Sequence, residues 1–181
     1  MTDDTKLIQY IEVILVHLGY DTDSPLFKDT ALRFASRMRP FFANAEQPAG
    51  SIIGASVDEH EEMPQVSFQM SPIPFTAMCA RHFMPIFGSV GLQYIPTTKK
   101  AHVRALHHAV EYYTEQFIDQ ETVTLKLFEE LAVGLDPACA YVVVSARHTC
   151  EGNAVITTDY GARLTPAAAQ SLIERVESSL G

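Results

Sequence analysis

Basic residues are scarce in this chain: 13 Lys and Arg stand against 22 Asp and Glu in 181 residues, a formal net charge of -9. Nucleic acids and anionic membranes are held first by Lys and Arg, so this balance excludes a broad basic surface for either and leaves room only for a local basic pocket. No apolar run approaches the roughly 20 residues that span a bilayer. The acidic opening Met1-Thr2-Asp3-Asp4 lacks the basic region of a signal peptide. Both observations predict a cytoplasmic protein with no membrane partner. Cysteine is scarce too: three residues, an odd number, do not make a disulfide framework. Internal repeats and low-complexity segments are missing as well. With 47% hydrophobic residues, the chain can still bury one substantial core.

The apolar residues that are present fall into periodic runs. Leu7, Ile8, Ile11, Ile14, Leu15 and Leu18 recur at helical spacing and Gly19 ends the run, predicting a helix over 4–18 with Thr2 and Asp3 placed to cap it. A second helix is expected from a cap at Asp29 to Met38, before Pro40. These form an N-terminal helical segment, 1–45. Residues 46–64, with Pro48, Gly50, Gly54 and the acidic cluster Asp58 to Glu62, hold no sustained period and read as a solvated linker. Beyond it, alternation predicts strands over 66–70 and 86–94, and helical spacing predicts helices over 103–117 and 123–135. The continuous β-branched run at 140–144 and the stretch 154–158 predict two more strands, and Thr165-Pro166 opens a last helix ending near Leu180. The expected fold class is α+β: a domain over 65–181 with a four-stranded antiparallel sheet in ββααββ order and helices on one face. Its two outer strands would be open edges, which association of identical subunits into a closed ring would cover.

Two short stretches carry metal-ligand chemistry. Cys79-Ala80-Arg81-His82 sets a thiol and an imidazole three residues apart between the first two strands, and His148-Thr149-Cys150 sets another pair at the end of the third. Thiolate and imidazole together select Zn(II) over magnesium or calcium. The two pairs are far apart in sequence, unlike a zinc finger, so a site here would be built by the folded domain. Three protein ligands would leave a fourth position for water. Residue types and spacing alone leave a second account open, in which Cys79 and Cys150 are buried thiols and the histidines satisfied core residues. Cys139 is expected in the core at the start of the third strand.

Cys79-Ala-Arg-His-Phe-Met-Pro-Ile-Phe-Gly88, Tyr94-Ile-Pro96, Gln120-Glu121, Leu135-Asp136-Pro137, Arg147-His-Thr-Cys150 and Thr157-Thr158 before Gly161 resemble, in order, the motifs of the GTP cyclohydrolase I family. Leu26 to Arg33 resembles that family's segment before its core, so the likeness covers nearly the whole chain. The resemblance implies a tunnelling fold (T-fold), whose subunits join sheets into a barrel and bind a purine or pterin between them; it suggests a homo-oligomeric ring, a decamer by that likeness. It also implies that Cys79, His82 and Cys150 hold Zn(II), that His148 transfers protons, and that Glu121, with Gln120 beside it, binds the base. A carboxylate suits adjacent N–H donors of guanine; taken alone, Glu121 reads as an exposed helix-start glutamate. The implied reaction opens the imidazole ring of GTP at C8, with formate and dihydroneopterin triphosphate as products.

Three departures fall at one end of that pocket. Arg81 stands where the family carries a proton-shuttling histidine; an arginine can stabilise an anion in catalysis but keeps its proton near neutrality. Where the family supplies Ser, Lys and Arg to the triphosphate, this chain has Arg104, Ala105 and His108. Glu151-Gly152-Asn153 replaces a longer loop that carries a phosphate-binding arginine. These changes suit a cyclohydrolase with rearranged phosphate contacts; the alternatives are a relative acting on a less charged purine or pterin, and a non-catalytic zinc-containing purine- or pterin-binding oligomer.

Overall fold

A computed structural model describes residues 4–42, 47–162 and 165–180. The chain divides into two compact units, Met1–Asn44 and Ala45–Gly181. In the first, helix α1 (Asp4–His17) packs against α2 (Thr30–Met38), which runs into a 3-10 turn at Arg39–Phe42. Ala31, Ala35 and Met38, spaced four and three residues apart, form the buried stripe of α2. Thr2 and Asp3, expected as caps of α1, lie outside the described residues. Asp29 does not cap α2 with its side chain: its φ of 62° is left-handed, whereas side-chain capping needs extended backbone, and only its carbonyl takes part, accepting from the Arg33 N–H.

The second unit holds β1 (Val57–Glu59), β2 (Phe68–Cys79), β3 (Pro85–Ile95), β4 (Lys99–Ala101), α3 (Val103–Thr114), β5 (Phe117–Ile118), α4 (Gln120–Leu135), β6 (Cys139–His148), β7 (Ala154–Gly161) and α5 (Pro166–Ser178). The main sheet has five strands in the order β5-β2-β3-β6-β7, and β1 and β4 form a separate antiparallel pair. The four strands expected from sequence are present and mutually antiparallel. The fifth corrects the purely antiparallel sheet: Phe117, read as a helix end, and Ile118 just beyond it pair in parallel with Met78 and Cys79.

A second correction concerns the layers. Ala140, Val142, Val144 and Ala146 of β6 belong to the core shared with α3 and α4, while Tyr141 and Val143 pack with Ala169, Leu172 and Val176 of α5. Successive strand residues point to opposite faces, so α5 covers the face opposite to α3 and α4. The unbroken apolar run of β6 is the physical cause, since a strand buried on both sides has no polar face to present. Thr165 caps α5 through its hydroxyl, which accepts from the Ala168 N–H at 3.1 Å.

The stretch read as a linker is, over its described residues 47–64, built into this unit. Ile52 and Ile53 are buried in its core. Their N–H groups, with that of Gly50, donate to Glu130 of α4 at 2.7, 2.8 and 2.8 Å, and the Tyr113 hydroxyl donates to the same carboxylate at 2.9 Å. Within the acidic cluster, Asp58 and Glu59 lie in β1, where Glu59 pairs with Lys99 across the ladder.

Candidate metal centre and its surroundings

The sheet brings the sequence-distant ligands to one end. Cys79 is the last residue of β2, and β2 turns directly into β3 through Ala80 to Met84, closed by Cys79 N–H donating to the Met84 carbonyl at 2.8 Å and Phe83 N–H to the Cys79 carbonyl at 2.9 Å. Phe83, with φ 56°, supplies the left-handed step of that turn. His148 ends β6 opposite Ile86 of β3, and a 3-10 turn over Thr149–Glu151 carries Cys150 back towards it. The Thr149 hydroxyl pins that turn by donating to the Pro85 carbonyl at 2.7 Å.

The donor atoms of Cys79, His82 and Cys150 all lie within 4.8 Å of one another, with Cys79 buried, Cys150 half-buried and His82 exposed. Cys79 Sγ is 3.6 Å from His82 Nδ1. Donors at zinc's usual bond lengths of about 2.3 Å to sulfur and 2.0 Å to nitrogen lie roughly 3.5 Å apart across a tetrahedral angle. Donor chemistry and spacing therefore fit zinc. Burial pushes the Cys150 thiol up, and the adjacent Cys79 thiol pushes it further; a cation beside Cys150 would relieve that cost. Glu151, one residue on, has an oxygen 3.8 Å from His82 Nδ1. Cys139 lies elsewhere, its thiol donating to the Ala162 carbonyl at 2.9 Å.

Behind the centre, His148 is buried and its Nε2 lies 2.9 Å from Gln120 Oε1. Gln120, expected beside the base, is 3% exposed and faces inward, whereas Glu121 is exposed in the first turn of α4. The cap of that helix, Asp119, accepts from the Thr122 N–H at 3.0 Å and from its hydroxyl at 2.6 Å. The Thr122 hydroxyl, its N–H, Glu121 and the Arg81 guanidinium hold the Asp119 carboxyl below its ordinary value against partial burial. Arg81 thus lies within electrostatic reach of the α4 start. Asp119 did not emerge from the sequence reading, though Asp-x-x-Thr before the apolar run of α4 is the pattern of a helix cap.

Asp119→Ala should cost about 1 kcal/mol near neutrality, as caps do. Because the folded carboxyl is depressed, that contribution is fully present above the ordinary carboxylate range near pH ~4 and is lost as pH falls through the lower folded value. Urea melts of the two proteins at descending pH should therefore converge; a constant difference would refute the cap's charge dependence.

Arg104 and His108 line an open cleft of about 720 Å³ with Val103, His107 and Glu111. None of the candidate metal ligands lines it. Ala105, at the position aligned with the family's lysine, is only 4% exposed and belongs to the core face of α3.

A model of the family described as GTP cyclohydrolase I matches residues 7–171. The GTP cyclohydrolase 1 of Carboxydothermus hydrogenoformans is 31% identical to this chain over 152 residues, covering 83% of this chain and 77% of that protein. Its counterparts in Halalkalibacterium halodurans and Geobacillus kaustophilus are each 32% identical, over 82% and 79% of this chain and 78% and 76% of theirs.

Proposed function

The chain belongs to the GTP cyclohydrolase I family, and from that premise we propose that it is a zinc-dependent hydrolase that opens the imidazole ring of GTP, releasing formate and forming dihydroneopterin triphosphate. The observation that carries the zinc reading is the convergence of the Cys79, His82 and Cys150 donors within 4.8 Å of one another. Zinc held there supplies a Lewis acid that lowers the pKa of water to about 7.

The remaining work falls to side chains. Glu121, exposed where α4 begins, accepts two hydrogen bonds from the adjacent N–H donors of guanine and so orients the ring. His148, two residues from Cys150, carries protons between the ring and its surroundings. Arg81 stays charged and stabilises negative charge without shuttling a proton. Arg104 and His108 in the α3 cleft receive the phosphates; with Ala105 turned into the core, Arg104 supplies most of the fixed positive charge there. The protein works as a homo-oligomeric ring in the cytoplasm. That assembly is supported by the outer edge of β7, whose Val155, Ile156 and Tyr160 are exposed, and by β5, which covers only Met78 and Cys79 along the edge of β2.

Incubated with GTP, the zinc-loaded protein should release one formate per pterin formed, followed by formate assay and pterin fluorescence. Absence of formate from GTP, guanosine and other purines alike would sink the enzyme reading.

A further inference from the structure

Gln120 is the first residue of α4, yet its amide reaches across the sheet. Its Nε2 lies 3.0 Å from the Val144 carbonyl, 2.9 Å from the Ile156 carbonyl and 3.2 Å from Thr158 Oγ1. Carbonyl oxygens only accept, so two carbonyls on one side of the amide fix which end is the NH2. Its oxygen must then face His148, and an amide oxygen also only accepts. The proton in that 2.9 Å contact therefore belongs to the histidine.

The hydroxyls around the amide agree with this assignment. Thr124 donates to the main-chain carbonyl of Gln120 at 2.8 Å, so in its 2.6 Å contact with Thr158 it accepts, and Thr158 spends its own hydrogen there. Thr158 Oγ1 is left able to accept from the Gln120 amide. The two amide hydrogens are shared among three acceptors, all on the NH2 side, and both ends are buried: Gln120 is 3% and His148 8% exposed.

We propose that Gln120 is a positioning residue for His148: it holds the imidazole as the Nε2–H tautomer, so that Nδ1 is the ring's accepting nitrogen. This assigns Gln120 to the machinery without a substrate contact and gives the Thr157-Thr158 motif a role through Thr158. It rests on the reading of His148 as a proton carrier, but the tautomer is measurable without turnover.

The test is long-range proton–nitrogen NMR on the zinc-loaded protein labelled with nitrogen-15 histidine, at a pH where the ring is neutral, with the His148 signals identified by their loss in His148→Gln. The expected spectrum has a protonated Nε2 and a bare Nδ1. In Gln120→Met the two tautomers should mix, and kcat for formate release should fall by about tenfold or more while KM for GTP stays within roughly twofold. An Nδ1–H tautomer in the native protein, an unchanged tautomer in Gln120→Met, or a raised KM with kcat intact would each overturn the assignment. If Gln120→Met does not fold, the native spectrum decides alone. If the native protein releases no formate, the cyclohydrolase reading fails while the spectrum still judges the lock on His148.

Discussion

Replacing Cys150 with alanine is expected to strip the protein of metal: after dialysis against a zinc buffer, the variant should retain less than about a tenth of the zinc bound by the native chain. Groups that merely hydrogen-bond a metal ligand already contribute about 10- to 100-fold in affinity, and Cys150 is one of three donors that meet here among the described residues. Cys79→Ala should behave alike, because the remaining thiol and imidazole cannot close a tetrahedral site. Cys139→Ala is the control; its thiol is occupied by the Ala162 carbonyl and is outside the ligand cluster, so bound zinc should be unchanged. Elemental analysis reads all three. Full zinc in both ligand variants would refute the ligand set, and the far-UV spectrum of each tells metal loss from misfolding.

The largest effect on stability is expected at Glu130. This carboxylate is 0% exposed and accepts four hydrogen bonds, from the N–H groups of Gly50, Ile52 and Ile53 and from the Tyr113 hydroxyl. Glu130→Ala leaves those donors buried without a partner, at about 1–3 kcal/mol for each that water cannot reach. Some will hydrate as the segment loosens, so the net loss should be about 3–5 kcal/mol in urea unfolding, the range for breaking a buried charged network. Glu130→Gln should fall between, since its amide oxygen still accepts while its NH2 meets other donors. A loss below about 1 kcal/mol for Glu130→Ala would mean that the segment carries little of the fold's stability. The same network explains part of the Tyr113 environment, where burial and then the Glu130 contact push the phenol well above its ordinary range.

The parts of the structure that sequence revealed are those in which local pattern and tertiary role coincide. The alternation around Val66 to Met70 and Ile86 to Tyr94, the helical spacing from Val103 onward and the Thr165-Pro166 cap all express burial that neighbours in sequence share. The set Cys79, His82 and Cys150 came from the family resemblance, since residue types and spacing alone left buried thiols open, and the structure brings their donor atoms together. The misses have the opposite character. Val57–Glu59 and Lys99–Ala101 are three-residue, charge-rich strands that exist only because each meets the other, so neither has a period to read. Phe117 and Ile118 continue the apolar spacing of α3 but are taken from it by pairing with β2. Ile52 and Ile53 sit in a Gly- and Pro-rich stretch and are held by a carboxylate almost 80 positions away, a partnership no window of sequence contains. The second buried face of β6 was visible as an unbroken apolar run, but which helix would cover it was not. Likewise the inward turn of Gln120 was not readable from its place beside Glu121, because successive helical residues point about 100° apart and serve different neighbours.

The ligand spacing also has a mechanical meaning. Cys79 closes one strand and Cys150 follows another, so an ion gripping both ties off a loop that contains β3, α3, α4 and β6. A tie across a loop of about 70 residues removes roughly 4 kcal/mol of conformational freedom from the unfolded chain if it behaves as a disulfide of that span does. A metal held there would be a reversible staple across residues 79–150 of the second unit, and a chelator would act on the loaded protein as a reductant acts on a disulfide-bonded one.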